Sequence, residues 1–453
     1  MSAGFVRYFG GTGLMQRVAR SSAFTAGGFV TSQAIRLASN LILTRLLFPE
    51  AFGLMAIVSV FIMGLAMFSD VGVGPSIMSS KRGDDRDFLD TAWTIQIVRG
   101  WALFVVACLL TWPVAWFYDE PRLRWFLPLA AVALVIDSYK PTKVETQNRH
   151  LRAGRLTLIE MGCQIVGVLT AIALAYALRS VWALVLSNLV ASVAMLVMVT
   201  VFLPGPGNRL RWERAAAGEL IHFGKWIFLS TVCGFLIGQS DKVIIGKYLD
   251  LGSFGLYNIG FFLASVPLLL GGALMRRLLI PVYRESPPGE SRENFLRVRR
   301  MRAAVGGVLA AGVIVLAFGG VWFVDLMYDS RYLAAGGVVV LFAAVQMPAL
   351  VILTCDQAAL AAGDSRRFFV LTLVRAALVV AGLVIGLEMM GLMGAILGLG
   401  AANLLAYPVL AWLNRPHGAW DPGLDLGFLA LGLLSGGLAI AYNVDAVVAL
   451  AGL

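Results

Sequence analysis

Stretches of about 20 mostly apolar residues recur along this chain at intervals of roughly 25 to 40 residues, from one end to the other. A bilayer offers the backbone no hydrogen-bonding partner, so stretches of this length must be helical, and a chain built from them is an all-α polytopic membrane protein. Composition agrees: 59% of the 453 residues are hydrophobic and 14% are charged, more apolar than a water-soluble core can hide. The expected spans are residues 23–45, 51–69, 90–113, 124–139, 156–178, 181–203, 221–246, 253–275, 303–324, 334–358, 368–387, 391–413 and 424–442. The stretch from Phe24 to Leu47 reads as a retained helix, being too long and too polar in its middle for a signal peptide.

Basic residues set the expected orientation, because Arg and Lys collect on the cytoplasmic side. Of the 36 Lys and Arg residues, 25 fall in the loops of one side, 6 in those of the other, and five inside spans. The N-terminus and the loop from Tyr283 to Arg302 are therefore expected in the cytoplasm. The net charge of +10 follows this topology and forms no single basic stripe, so no nucleic-acid partner is expected. Cys108, Cys163, Cys233 and Cys355 lie far apart in apolar stretches, and His150, His222 and His417 lack a second ligand at helical spacing. Neither a disulfide framework nor a metal site is expected, and no cofactor. No Gly-rich phosphate loop ending in Lys-Ser/Thr is present, which speaks against ATP hydrolysis.

An ungapped internal repeat links Leu41–Ile57 to Val243–Ile259 at an offset of 202, pairing Arg45 with Lys247, Phe52 with Phe254 and Gly53 with Gly255. Six spans separate the copies, so the halves enter the membrane in the same direction, as parallel repeats about an axis along the membrane normal. The expected division is a cytoplasmic segment 1–22, a six-span lobe 23–203, a cytoplasmic linker 204–220, a second six-span lobe 221–413 and an additional span with its tail in 414–453. This is a layout of two six-helix bundles plus about one extra C-terminal helix, with the site between the lobes.

TRLLFPEAFGLMAI (Thr44 to Ile57), SDVGVGPSIM (Ser69 to Met78) and TAWTIQIVRG (Thr91 to Gly100) resemble the N-terminal half of the polysaccharide transporter family. These are the Wzx-like oligosaccharide flippases of the multidrug/oligosaccharidyl-lipid/polysaccharide exporter superfamily. SDKVIIGKYLDLGSFGLYNIG (Ser240 to Gly260) and LMRRLLIPVY (Leu274 to Tyr283) resemble its seventh and eighth spans. The resemblance implies two six-helix bundles around a central cavity in a bacterial inner membrane. It implies a non-enzymatic flippase that moves an undecaprenyl-diphosphate-linked oligosaccharide from the cytoplasmic to the periplasmic leaflet by alternating access, for surface polysaccharide synthesis. The implied partners are a lipid-linked anionic oligosaccharide, membrane lipids, and a polysaccharide polymerase with its co-polymerase, the chain itself being read as a monomer. Many relatives resemble fourteen-helix proteins, and against them this chain is expected to have about one helix fewer.

The five cations inside spans are Arg36, Arg99, Lys225, Lys242 and Arg375. A charge at the bilayer centre costs about 2.5–3.5 kcal/mol on insertion scales, so such groups are expected to face something polar. Gln33, Arg36, Asn40 and Thr44 recur at i, i+3, i+7 and i+11, one face of a helix. Gln346 and Gln357 are eleven residues apart with Pro348 between them, which suggests a kinked helix facing the cavity. The expected cavity lining is therefore Gln33, Arg36, Asn40, Arg99, Lys225, Lys242, Gln346, Gln357 and Arg375. Plainer readings stand beside it: snorkelling for Lys225 and Lys242, and interhelical ion pairs with Glu160 or Asp356 for Arg36 and Arg99. Guanidinium forks suit phosphate and carboxylate, whereas a cation antiporter of the multidrug and toxin extrusion type wants carboxylates, and those weighed against the five cations are Glu160, Asp241 and Asp356. A membrane polymerase or ligase is the remaining alternative, but the expected periplasmic loops are short.

Overall fold

The computed structural model describes residues 14–70, 72–150 and 153–452, and among them the regular structure is helical with no strand. The first half holds α1 (Leu14–Leu46), α2 (Pro49–Phe68), α3 (Val73–Ser79), α4 (Arg86–Phe117), α5 (Leu123–Ser138), α6 (Lys143–Arg149), α7 (Ala153–Leu178) and α8 (Trp182–Phe202). The second holds α9 (Arg214–Tyr248), α10 (Leu251–Glu285), α11 (Arg292–Met327), α12 (Ala335–Val345), α13 (Met347–Cys355), α14 (Gln357–Ala361), α15 (Ser365–Leu405), α16 (Tyr407–Asn414), α17 (Pro422–Tyr442) and α18 (Val444–Val448). Each expected span coincides with one of these helices or with a broken one. Among the described residues nine helices are long and apolar enough to cross a membrane, or up to ten if α12 and the following helix, bent by 48°, form one span. The protein is a multi-pass membrane protein. α1 falls short of that test through its polar face, and α5 through its 16 residues.

Short side chains start many of these helices. Asp85, Asp250, Ser291, Asp364 and Asp421 each accept a hydrogen bond from a backbone N–H in the first turn that follows, satisfying donors the helix leaves open. α15 is a hairpin, not one rod. Met390 and Gly391 leave the helical region, Gly391 at a φ of 59° that glycine adopts without a Cβ clash, and the limbs double back so that Gly386 meets Gly394.

Contacts divide the chain into two compact units, one holding residues up to Leu47 with Val58–Val232, the other Phe48–Ile57 with the chain from Cys233 onward. In the first, α7 packs on α8, α4 on α5 and α1 on α7. Its least expected feature is the segment before α9, which reads in sequence as a free linker. Backbone N–H groups of Arg209, Arg211 and Glu213 donate to Asp90 Oδ1, Thr94 Oγ1 and Thr91 Oγ1 at 3.0–3.1 Å. Asn208 donates to Asp90 at 3.1 Å and accepts from the Thr142 N–H at 2.9 Å. Arg82 pairs with both Asp85 and Glu213, and its guanidinium holds the Asp85 carboxyl below the usual carboxylate range. The polar residues of this segment are thus used up in strapping it along the first turns of α4, and α9 starts at Arg214 instead of residue 221.

In the second unit, α12 packs on α10, α11 and α17, and Ala335–Ala343 are all buried, as expected of a helix apolar all round. The expected loop 276–302 is mostly helix, because α10 runs on to Glu285 and α11 begins at Arg292. Charged, unbranched side chains are good helix formers, so the helices extend past their apolar stretches. The breaks also obey the repeat: Leu46 and Tyr248 end helices and Pro49 and Leu251 begin them, at the same offset of 202.

Candidate functional site

In the first unit the polar face of α1 grades from exposed to buried: Arg36 is exposed, Gln33 and Asn40 are half-buried, and Thr44 is buried with its hydroxyl donating to the Leu41 carbonyl at 3.1 Å. The Oδ1 of Asn40 is buried without a hydrogen-bond partner among the described residues. Gln164 of α7 donates to the Ser32 carbonyl at 2.9 Å and fixes the rotation of α1.

Arg99, on α4, reaches the C-terminal end of α2. Its Nε donates to Ser69 Oγ at 3.0 Å, one Nη donates to the Ala66 carbonyl, and the other lies 3.8 Å from Asp70. Last-turn carbonyls lack partners within their own helix, so a guanidinium here is held by geometry the fold already provides. Its acidic partner is Asp70 and not the Glu160 or Asp356 that the sequence suggested, because Asp70 is turned back by accepting from the Gly72 N–H at 2.9 Å. Nearly a quarter of the Arg99 side chain stays accessible (23%).

In the second unit Lys242, on α9, donates to Gln239 at 2.9 Å and stands 5.0 Å from the centre of the Phe261 ring, a cation–π contact. Beside it the buried Asp241 accepts from the Tyr257 hydroxyl at 2.6 Å. Arg375, on the first limb of α15, donates to Asn403 on the second at 2.9 Å, and Asn403 donates to the Leu399 carbonyl at 2.8 Å. The side chain of Lys225 lies outside the described side chains.

Gln346 sits at the 48° bend, as Pro348 predicted, with Nε2 donating to the Ala264 carbonyl at 2.9 Å and Oε1 buried without a partner among the described residues. The shared face expected for Gln346 and Gln357 is not seen. A residue in the bend belongs to neither helix axis, so eleven-residue spacing from it measures no common face, and Gln357 donates to the adjacent Asp356 at 2.8 Å.

One buried polar cluster escaped the sequence. Arg302, expected as a solvated loop cation, is 2% exposed within α11 and pairs with Asp425 of α17, itself 2% exposed, and with Cys355 Sγ. Asp425 also accepts from the Tyr407 hydroxyl at 3.3 Å, which accepts from Trp420 Nε1 at 3.3 Å. The available signal was Asp425, a carboxylate inside the apolar stretch 424–442. Among the described residues no group of three His, Cys, Asp or Glu is placed to hold a metal ion. Arg99, Lys242 and Arg375 each present a cationic group that the fold already holds by hydrogen bonds, and groups of this kind bind anions.

Comparison with known proteins gives four matches. Residues 42–336 match the model of the family described as "Polysaccharide biosynthesis protein". The teichuronic acid biosynthesis protein TuaB of Bacillus subtilis (strain 168) is 22% identical over 275 residues, 59% of this chain, which span just over half (55%) of that relative's length. Among solved structures, the lipid II flippase MurJ in an inward closed conformation superposes with a TM-score of 0.67 at 11% identity, over 93% of this chain and 99% of MurJ. An inward-facing multidrug resistance MATE family transporter of the MOP superfamily superposes at 0.61 and 14% identity, over 85% and 95%. These two structures share the fold.

Proposed function

The chain belongs to the polysaccharide biosynthesis protein family, and we propose that it flips a lipid-linked, anionic oligosaccharide from the cytoplasmic to the periplasmic leaflet of a bacterial inner membrane. The observation that carries this reading is the sign of the charge inside the spans. Arg36, Arg99, Lys225, Lys242 and Arg375 stand against Glu160, Asp241 and Asp356, while the other carboxylates of the expected spans are engaged, Asp90 by the strap before α9, Asp137 by Lys140 and Asp425 by Arg302; this balance favours a diphosphate or uronate over a cationic drug. TuaB, named for an acid polymer, is a relative in keeping with this sign. On this reading the site residues are Gln33, Arg36, Asn40, Arg99, Lys225, Lys242, Gln346, Gln357 and Arg375. Two six-span lobes, 23–203 and 221–413, rock about them, passing the headgroup along while the lipid tail stays in the bilayer. The protein acts as a transporter and not as an enzyme, as a monomer, delivering to a polymerase and co-polymerase.

In proteoliposomes the purified protein should flip an undecaprenyl-diphosphate-linked oligosaccharide and leave a neutral glycolipid of equal size in place. Transport of cationic drugs without movement of the lipid-linked sugar would replace this reading by the multidrug one, which the shared fold with a MATE transporter accommodates. The proposed orientation places the N-terminus and the turn between α10 and α11 in the cytoplasm. A single labelling cysteine at Ser291 should react with a membrane-impermeant maleimide only after the cells are opened, and labelling of intact spheroplasts would invert the topology.

A further inference from the structure

Within the first unit, the C-terminal end of α4 displays large aromatic side chains to its surroundings. Trp112 and Trp116 of that helix and Trp125 of α5 are 65%, 82% and 73% exposed, and among the described residues none of their indole N–H groups meets an acceptor. A guanidinium lies beside them. Arg124, itself exposed, stands with Cζ 4.1 Å from the centre of the Trp112 ring, a cation–π contact, and among the described residues no carboxylate pairs with it. Of the acids on the adjoining turn, Glu120 accepts from Arg122 Nε and Nη2 at 2.8 Å, and Asp119 is exposed to solvent. Running from this end into the span, Trp116, Trp112, Leu109, Val105 and Trp101 are spaced by four, three, four and four residues and form one exposed apolar stripe along α4. Trp112 and Trp101 are eleven residues apart, about 16 Å of helix at 1.5 Å per residue, and one leaflet of hydrocarbon is about 15 Å deep.

Tryptophans gather where a span leaves the bilayer, and that preference accounts for the rings. It does not account for the arginine. A guanidinium stacked on a ring and unpaired with any acid keeps its N–H groups open, in the planar fork that suits phosphate oxygens. We propose that Arg124, with Trp112, Trp116 and Trp125, binds the phosphate of an anionic phospholipid whose acyl chain lies along the α4 stripe. The stacking on Trp112 holds the guanidinium in place before the lipid arrives, so less side-chain freedom is lost on binding. The indole N–H groups supply further donors at the level of the headgroup. A second copy of this chain could cover the stripe only by burying Arg124 against an apolar face, which costs more than leaving it at a lipid headgroup. A stripe one leaflet deep matches an ordinary acyl chain and is short for a polyprenyl chain. The site involves no cargo, so it stands apart from the flippase reading.

The test titrates purified protein in mild detergent with phosphatidylglycerol and, separately, with phosphatidylcholine, and counts bound lipids by native mass spectrometry. Basic residues elsewhere on the chain contribute equally to wild type and variant, so the comparison isolates Arg124. Arg124→Gln should need about fivefold more phosphatidylglycerol to reach the wild-type occupancy, the size of one basic residue's attraction to an anionic surface. Its phosphatidylcholine titration should not change. Trp112→Leu keeps the stripe apolar but frees the guanidinium, so it should weaken phosphatidylglycerol binding by a smaller factor. Superimposable phosphatidylglycerol titrations of wild type and Arg124→Gln would overturn the site. An equal loss of both lipids in Arg124→Gln would overturn it too, since it would mark a change of fold or surface and no recognition of charge. So would a wild-type particle holding two chains that Arg124→Gln separates, because a second copy would then be the occupant.

Discussion

Arg302→Ala should remove most of the folded protein from the membrane. The substitution leaves the Asp425 carboxylate buried with only the neutral Cys355 thiol and Tyr407 hydroxyl as donors, and breaking a buried ion pair on one side costs about 3–5 kcal/mol. That is a large share of the roughly 5–15 kcal/mol by which folded proteins are typically stable. Replacing both members, Arg302→Met with Asp425→Leu, removes the orphaned charge and keeps the volume, so the double variant should recover much of the lost level and melting temperature. Detergent-solubilised protein followed by size exclusion through a heating series measures both. A single Arg302→Ala variant that melts with the wild type would mean that the pair contributes nothing to stability.

The same residue marks where sequence reading stopped. Basic residues between apolar stretches are counted as solvated because most are, and Arg302 lies one position before an expected span. Its partner is 123 residues away on α17, a separation that no local pattern reports. The strap before α9 was missed for a related reason: Asn208, Arg209, Arg211 and Glu213 look like a solvated linker, and only the fold brings Asp90, Thr91 and Thr94 alongside. What was legible came from periodicity. Apolar runs placed each span on a helix, Pro348 marked the bend at Gln346, and the 202-residue repeat located the matching breaks after Leu46 and Tyr248. Ends were less legible, since charged residues prolong α10 and α11 beyond the apolar stretch. For the site, the cations could be named from sequence, but what each one touches could not: Arg99 holds the end of α2, and Arg375 joins the limbs of α15 through Asn403.

That difference separates the cations by experiment. Arg99→Ala should lower both protein level and transport, because the Ala66 carbonyl and Ser69 lose a donor, a loss of about 1–3 kcal/mol for a charged hydrogen-bonding group. Arg36 stands on the polar face of α1, and as a cavity group its replacement by Ala should abolish polymer export with the protein still in the membrane; loss of the protein from the membrane would mark a structural pairing instead. Arg36→Lys should keep part of the transport, since an ammonium retains the charge but cannot form the planar two-bond clamp on a phosphate. A charge reversal should do the most damage, placing a carboxylate where the diphosphate must pass.

The measurement closest to the central claim is thus a leaflet-specific assay of lipid-linked oligosaccharide in proteoliposomes carrying Arg36→Glu at wild-type protein levels. An anion pathway through the α1 face predicts that flipping stops and the cargo stays in the leaflet where it was loaded. Flipping at the wild-type rate would take Arg36 out of the pathway and contradict the cationic route.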